Sequence, residues 1–236
     1  IITPEMKADL AAATVTEMSV PTRVGPARVL RVEPSETAAL PSPRPLFIIF
    51  HGGGFVRPYH ERDTVFCAQL AKNVGCLVLD VDYRLAPEHH FPTAVLECYD
   101  IVAWAFENAD ELGVDPSKIA IGGHSAGGNF SAVITMMAQQ SGDVRLLGHV
   151  MDYPFVDGVT PASEKLDDRS VMPVWRMEAF NVLYAQVPEN LSDPRLSPIL
   201  APLEATEGQP PVLILIAGQD PLRFEAQRYA AKLIDA

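Results

Sequence analysis

An α/β fold, with a mostly parallel sheet covered by helices on both faces, is predicted by three observations. Five short apolar runs recur along the chain, at 46–50, 76–81, 118–121, 146–151 and 212–217. Helix-like segments alternate with them, near 62–73, 93–109 and 126–140 and from Leu222 onward. A Gly-x-Ser-x-Gly segment, Gly123-His124-Ser125-Ala126-Gly127, falls between the third run and the helix that follows it. Buried parallel strands are apolar on both faces and read as continuous hydrophobic runs, and their alternation with helices implies βαβ units.

The 236 residues suffice for one large core, and the 48% hydrophobic content argues against disorder. A net charge of −12 argues against nucleic acid and anionic membranes as partners. Cys67, Cys76 and Cys98 are an odd set with no Cys-x-x-Cys spacing. They read as reduced, buried thiols in a reducing compartment, so a cytoplasmic location is expected. No apolar run approaches the length of a membrane span. The start carries neither a signal-peptide pattern nor an initiator Met, and the chain is expected to be trimmed there.

Residues 1–12 read as a short helix, with Thr3 as cap, Pro4 in the first helical position and Glu5 in the first turn. Residues 15–33 read as two strands broken at Gly25-Pro26, and 34–45 as a connecting loop. The βα rhythm lapses between Asp152 and Pro211. Within that stretch 173–187 is helix-like and carries Trp175, Met177, Phe180, Leu183 and Tyr184. An insertion there would lie above the strand C-termini, where α/β sheets bind ligands. It reads either as a lid, with Trp175 and Phe180 as pocket residues, or as a surface helix packed on the core.

Gly-x-Ser-x-Gly alone is a weak signal, but a strand before it and a helix after it are the context of a nucleophile elbow. The glycines at 123 and 127 permit close approach around a strained serine backbone, and the helix N-terminus favours a developing oxyanion. His51-Gly52-Gly53-Gly54 follows the run at 46–50. Consecutive glycines let backbone N–H groups converge on one point, as an oxyanion hole requires. Asp220 follows the run at 212–217 and reads equally well as an imidazole-orienting acid or as the cap of the helix from Pro221. No histidine pair has zinc-site spacing, so no metal is expected.

As a set these residues resemble the hormone-sensitive-lipase-like esterases of the α/β-hydrolase fold. The resemblance rests on His51-Gly-Gly-Gly-Phe55, Asp82-Tyr-Arg-Leu-Ala-Pro-Glu88, Phe91-Pro92 and Gly123-His-Ser-Ala-Gly-Gly-Asn129. It extends to Tyr153-Pro154, Asp193-Pro194, Ser197-Pro198 and Gly218-x-Asp-Pro-Leu222. It implies one domain over 1–236 with a small helical cap from about 1–14 and 155–190. It further implies that Ser125 is the nucleophile, Asp220 the triad acid, and Gly52, Gly53 and the amide of Ala126 the oxyanion hole. The implied activity is cofactor-free hydrolysis of short-chain acyl esters, with a small-molecule ester as partner and a homodimer left open.

Three positions depart from the family pattern. His124 stands where the family usually has Asp, and Phe224 where a second Asp is common. The family histidine lies on a loop after the eighth strand, whereas no histidine follows Asp220 here. The last strand, its helix and the triad histidine are therefore expected to lie outside this sequence, and the 1–236 chain alone is expected to be nearly inactive. Two alternatives keep the fold: a receptor-like ligand-binding protein that lacks the histidine, as the gibberellin receptors do, and an amidase or peptidase.

Overall fold

The computed structural model describes residues 3–35, 42–165 and 172–236. Its strands are β1 (Ala13–Val20), β2 (Ala27–Pro34), β3 (Arg44–Phe50), β4 (Leu77–Asp82), β5 (Val114–His124), β6 (Gly148–Asp152) and β7 (Val212–Leu215). They form one sheet in the order β1-β2-β4-β3-β5-β6-β7. β1 and β2 pair antiparallel through the turn at Gly25-Pro26, and β2 meets β4 antiparallel. Every ladder from β4 to β7 is parallel. This is the mostly parallel α/β sheet expected from the alternating runs.

The helices are α1 (Pro4–Ala11), α2 (Glu61–Val74), α3 (Thr93–Glu107), α4 (Ala109–Leu112), α5 (Ala126–Ser141), α6 (Val174–Ala185) and α7 (Arg223–Asp235). Alternate strand residues feed opposite layers, as a period of two requires. Ile48, Leu79 and Val81 pack in the layer of α3 and α5, whereas Ile49 and Val78 pack under α2. Thr3 caps α1 by accepting the Met6 amide at 3.3 Å. α1 leans on α2, where Gln69 Nε2 donates to Asp9 at 2.7 Å. α7 buries Tyr229 against Ala132, Met151 and Val156.

Three boundaries differ from the sequence reading. The helix expected over 93–109 breaks at Asn108, whose side-chain amide donates back to Trp104 O at 2.8 Å. β5 starts at Val114, four residues early, because Val114 pairs with Arg44 across an irregular register that hides the strand's polar start. β7 ends at Leu215 as an edge strand, with Leu213 and Leu215 54% and 46% exposed. Of the loop expected at 34–45, residues 36–41 lie outside the described residues.

Two sets of buried charge sit in this frame. Lys165 and Glu225 form an ion pair at 2.5 Å, and Glu225 Oε1 accepts the amides of Val156 and Asp157 at 2.8 and 3.2 Å. Together these contacts tie α7 to the segment after β6. Asp80 of β4 is buried with Thr64 Oγ1 at 3.5 Å and its Oδ1 unpartnered among the described residues. Burial, reinforced by Asp63, pushes the Asp80 carboxyl from 3.8 up to about 7.

A raised carboxyl means that the fold prefers the protonated form. Its stabilising contribution is complete below about 3.8 and is lost as pH rises to about 7. A shift of roughly three pH units corresponds to something on the order of 4 kcal/mol. Asp80→Asn is therefore expected to gain stability over the parent between pH 5 and pH 8. Urea unfolding of both proteins at the two pH values checks this, and a parent–variant difference that does not change with pH contradicts it.

Candidate active site

The C-terminal ends of β3, β5 and β6 lie level, with Phe50 opposite Gly123 and His124 opposite Asp152. The two glycine motifs sit on neighbouring strands for that reason. Ser125 occupies the turn from β5 into α5 with φ 53° and ψ −107°, a conformation that L-residues adopt only under strain. Its amide donates to Asp152 O at 2.9 Å, and its carbonyl accepts the amides of Asn129 and Phe155 at 3.0 and 3.2 Å. These three bonds hold the serine upright at the end of the strand.

The loop after β3 folds over the same point. His51 is buried, stacks on Tyr83 with ring centroids 4.2 Å apart, and donates through Nδ1 to Gly52 O at 2.8 Å. Tyr83 Oη donates to His51 O at 2.8 Å. Gly53 and Gly54 take φ values of 137° and 61°. A Cβ on Gly54 would lie 2.1 Å from the ring of Phe180, so the ring of this α6 residue rests directly on the loop backbone. Among the described residues nothing accepts the amides of Gly52, Gly53 or Ala126.

A cavity of about 600 Å³ opens here. Gly52, Gly53, Ser125, Phe180 and Asp220 all line it, so the structure brings together most of the predicted site residues. Two predicted residues are absent from the lining: Ala126, which is fully buried at the start of α5, and Trp175, which is 64% exposed. Five helical residues turn the backbone by about 140°, so Trp175 and Phe180 cannot share a face of α6. Arg176, four residues before Phe180, does line the cavity. The regular part of α7 starts at Arg223, and Asp220 closes the turn that leads into it, its Oδ1 accepting the Leu222 amide at 2.7 Å and its carbonyl the Arg223 amide at 3.0 Å.

None of the six histidines hydrogen-bonds to Ser125. His124 donates Nδ1 to Asp152 Oδ2 at 2.7 Å and lies against Tyr153 and Phe66. His60 caps α2, its Nδ1 accepting the Arg62 amide at 3.1 Å. His90 Nδ1 donates to Leu183 O at 2.9 Å, and His89 is exposed on the same loop. His149 is buried in β6, and burial pushes it down to about 4. As site residues, sequence reasoning missed Asp152 and Tyr153, the latter noted only within the Tyr153-Pro154 motif, and also Arg57 and Arg176. The first two follow the fourth apolar run, and position at a strand's C-terminal end was the signal that could have found them.

A family model described as an α/β-hydrolase fold matches residues 47–236. The chain is 34% identical over 231 residues to an ethyl acetate hydrolase of Pseudomonas putida, covering 94% of this chain and 70% of that one. It is 35% identical to the carboxylic ester hydrolase LipN of Mycobacterium tuberculosis and 34% identical to an arylesterase of Saccharolobus solfataricus. These alignments cover 93% and 81% of this chain, which spans 59% and 62% of the length of those two relatives. A solved esterase from Pyrobaculum calidifontis superposes with a TM-score of 0.87 at 35% identity, covering 98% of this chain and 77% of that one. No described helix is long and apolar enough to cross a membrane.

Proposed function

The chain belongs to the hormone-sensitive-lipase-like esterases of the α/β-hydrolase fold, and from that membership we propose that the full-length protein is a serine carboxylesterase acting on short-chain acyl esters. One observation carries the proposal. Ser125 stands on a strained turn beside the backbone amides of Gly52, Gly53 and Ala126, which no described residue accepts, and Ser125, Gly52 and Gly53 line one cavity. In the proposed reaction Ser125 Oγ attacks the ester carbonyl carbon, and the amides of Gly52, Gly53 and Ala126 take the charge that develops on its oxygen. The alcohol leaves with a proton, and water then releases the acid from the acyl-serine.

The base in this proposal is a histidine that is not among the six of this sequence, oriented by Asp220. The places of the six support that reading, since each is committed elsewhere or lies off the serine. The same observation favours a second reading, a ligand-binding protein without turnover. α6 acts as the cap in either case. Beside Ser125 lies an apolar recess of only about 30 Å³, lined by Gly54, Phe55, Phe155, Met177, Phe180 and Leu222. A recess of that size supports an acetyl-sized acyl group rather than a long chain.

Hydrolysis of acetyl, butyryl, octanoyl and palmitoyl 4-nitrophenyl esters by the full-length protein tests this. Acetyl and butyryl are expected to be fastest, and Phe180→Ala to raise the octanoyl-to-acetyl ratio of kcat/KM about tenfold, within the 1–3 kcal/mol range of a hydrophobic-pocket change. Fastest turnover of palmitoyl contradicts the short-chain reading. Absence of turnover with every ester favours the ligand-binding reading.

A further inference from the structure

The chain carries 30 acidic and 18 basic residues, yet its central cavity has the opposite balance. Among the described residues, Arg57, Arg62 and Arg176 line it together with His60 and His124, and the carboxylates there are Asp63 and Asp220. Both carboxylates already accept backbone amides, Asp63 that of His60 at 3.0 Å and Asp220 that of Leu222 at 2.7 Å. Arg57 and Arg176 reach the cavity from different elements. Arg57 follows the glycine loop, its amide bonded to Gly53 O at 3.0 Å. Arg176 comes from α6, its guanidinium 5.4 Å from the centre of the Trp175 ring.

Most other described arginines, Arg23, Arg84 and Arg228 among them, hold carboxylates. Arg57 and Arg176 hold none among the described residues. Guanidinium groups in a cleft of an acidic protein, with no carboxylate partner among the described residues, create a local positive potential where the overall field is negative. Their planar forks match carboxylate or phosphate oxygens. The acyl recess is apolar and too small for a charged group, so an anion belongs on the alcohol half of the ester.

We propose that the substrate is a short-chain ester whose alcohol half carries a carboxylate or phosphate, held by Arg57 and Arg176. The proposal rests on the esterase reading above. Its test compares acetate esters of charged alcohols with neutral counterparts, using the full-length protein at low salt. One arm sets 3-acetoxybutyrate against its methyl ester. The other sets 2-acetoxyethyl phosphate against its dimethyl ester.

In at least one arm the anionic ester is expected to have a kcat/KM tenfold or more above its counterpart, with the advantage shrinking as NaCl is added. The favoured arm identifies the anion. Arg57→Gln and Arg176→Gln are each expected to cut the anionic-to-neutral ratio about fivefold through KM, with Arg57→Lys and Arg176→Lys retaining part of it. Equal rates for charged and neutral esters in both arms overturn the proposal, as does a ratio unchanged by both Gln variants. If no ester is hydrolysed, 4-nitrophenyl acetate included, the esterase reading fails and the proposal with it.

Discussion

Replacing Ser125 by alanine is expected to lower kcat of the full-length protein by about 10⁴-fold or more while leaving the fold intact. Where a hydroxyl is the attacking atom, its removal leaves only what binding and the oxyanion donors supply, about 10³–10⁴-fold over the reaction in water. The stability side rests on the structure. Ser125 Oγ makes no hydrogen bond among the described residues, and its backbone bonds to Asp152, Asn129 and Phe155 do not depend on the side chain. Unfolding free energy is therefore expected to change by no more than about 0.5 kcal/mol. Steady-state kinetics on an acetyl ester, with urea unfolding of the same samples, checks both halves. Activity within tenfold of the parent contradicts the assignment.

The second large effect is structural. A Cβ on Gly127 would lie 1.9 Å from Phe50 O and 2.9 Å from His51 O. Both neighbours are backbone, so no side chain can swing aside, and α5 must lift away from the end of β3. That movement would separate the serine turn from the glycine loop, because Gly127 lies two residues beyond Ser125 and Phe50 one residue before His51. Gly127→Ala is expected to cost about 4 kcal/mol or more and to abolish activity even in the molecules that fold. Gly142→Ala, at the far end of α5, is the control. Its Cβ meets nothing within 4 Å and its φ of 71° is the only penalty, so about 1–2 kcal/mol is expected. Equal costs for the two variants would show that the contact at Phe50 is not what matters at Gly127.

Much of the fold is legible in the sequence because the buried strands are apolar on both faces. Leu77, Val78 and Leu79 are all fully buried, so the run is continuous and its identity does not depend on knowing which face packs where. The serine turn is legible for a related reason, since glycines are required where backbones come within contact distance. What is not legible depends on register and phase. Asp152 meets His124 only because β5 and β6 pair in one register. Trp175 and Arg176 exchange roles through the rotation of α6. The start of β5 is hidden because Asp115, Ser117 and Lys118 give it a polar surface pattern. Lys165 and Glu225 look like solvent-facing charges in the sequence, yet they are an interior pair.

The measurement that bears most directly on the assignment of Ser125 is covalent. A fluorophosphonate probe reacts with a serine whose hydroxyl is activated beside oxyanion donors, and peptide mass mapping locates the adduct. The full-length protein is expected to be labelled on the peptide that contains Ser125, with labelling abolished in Ser125→Ala. Labelling that persists in Ser125→Ala, or ester hydrolysis by a protein that never takes up the probe at Ser125, would contradict it.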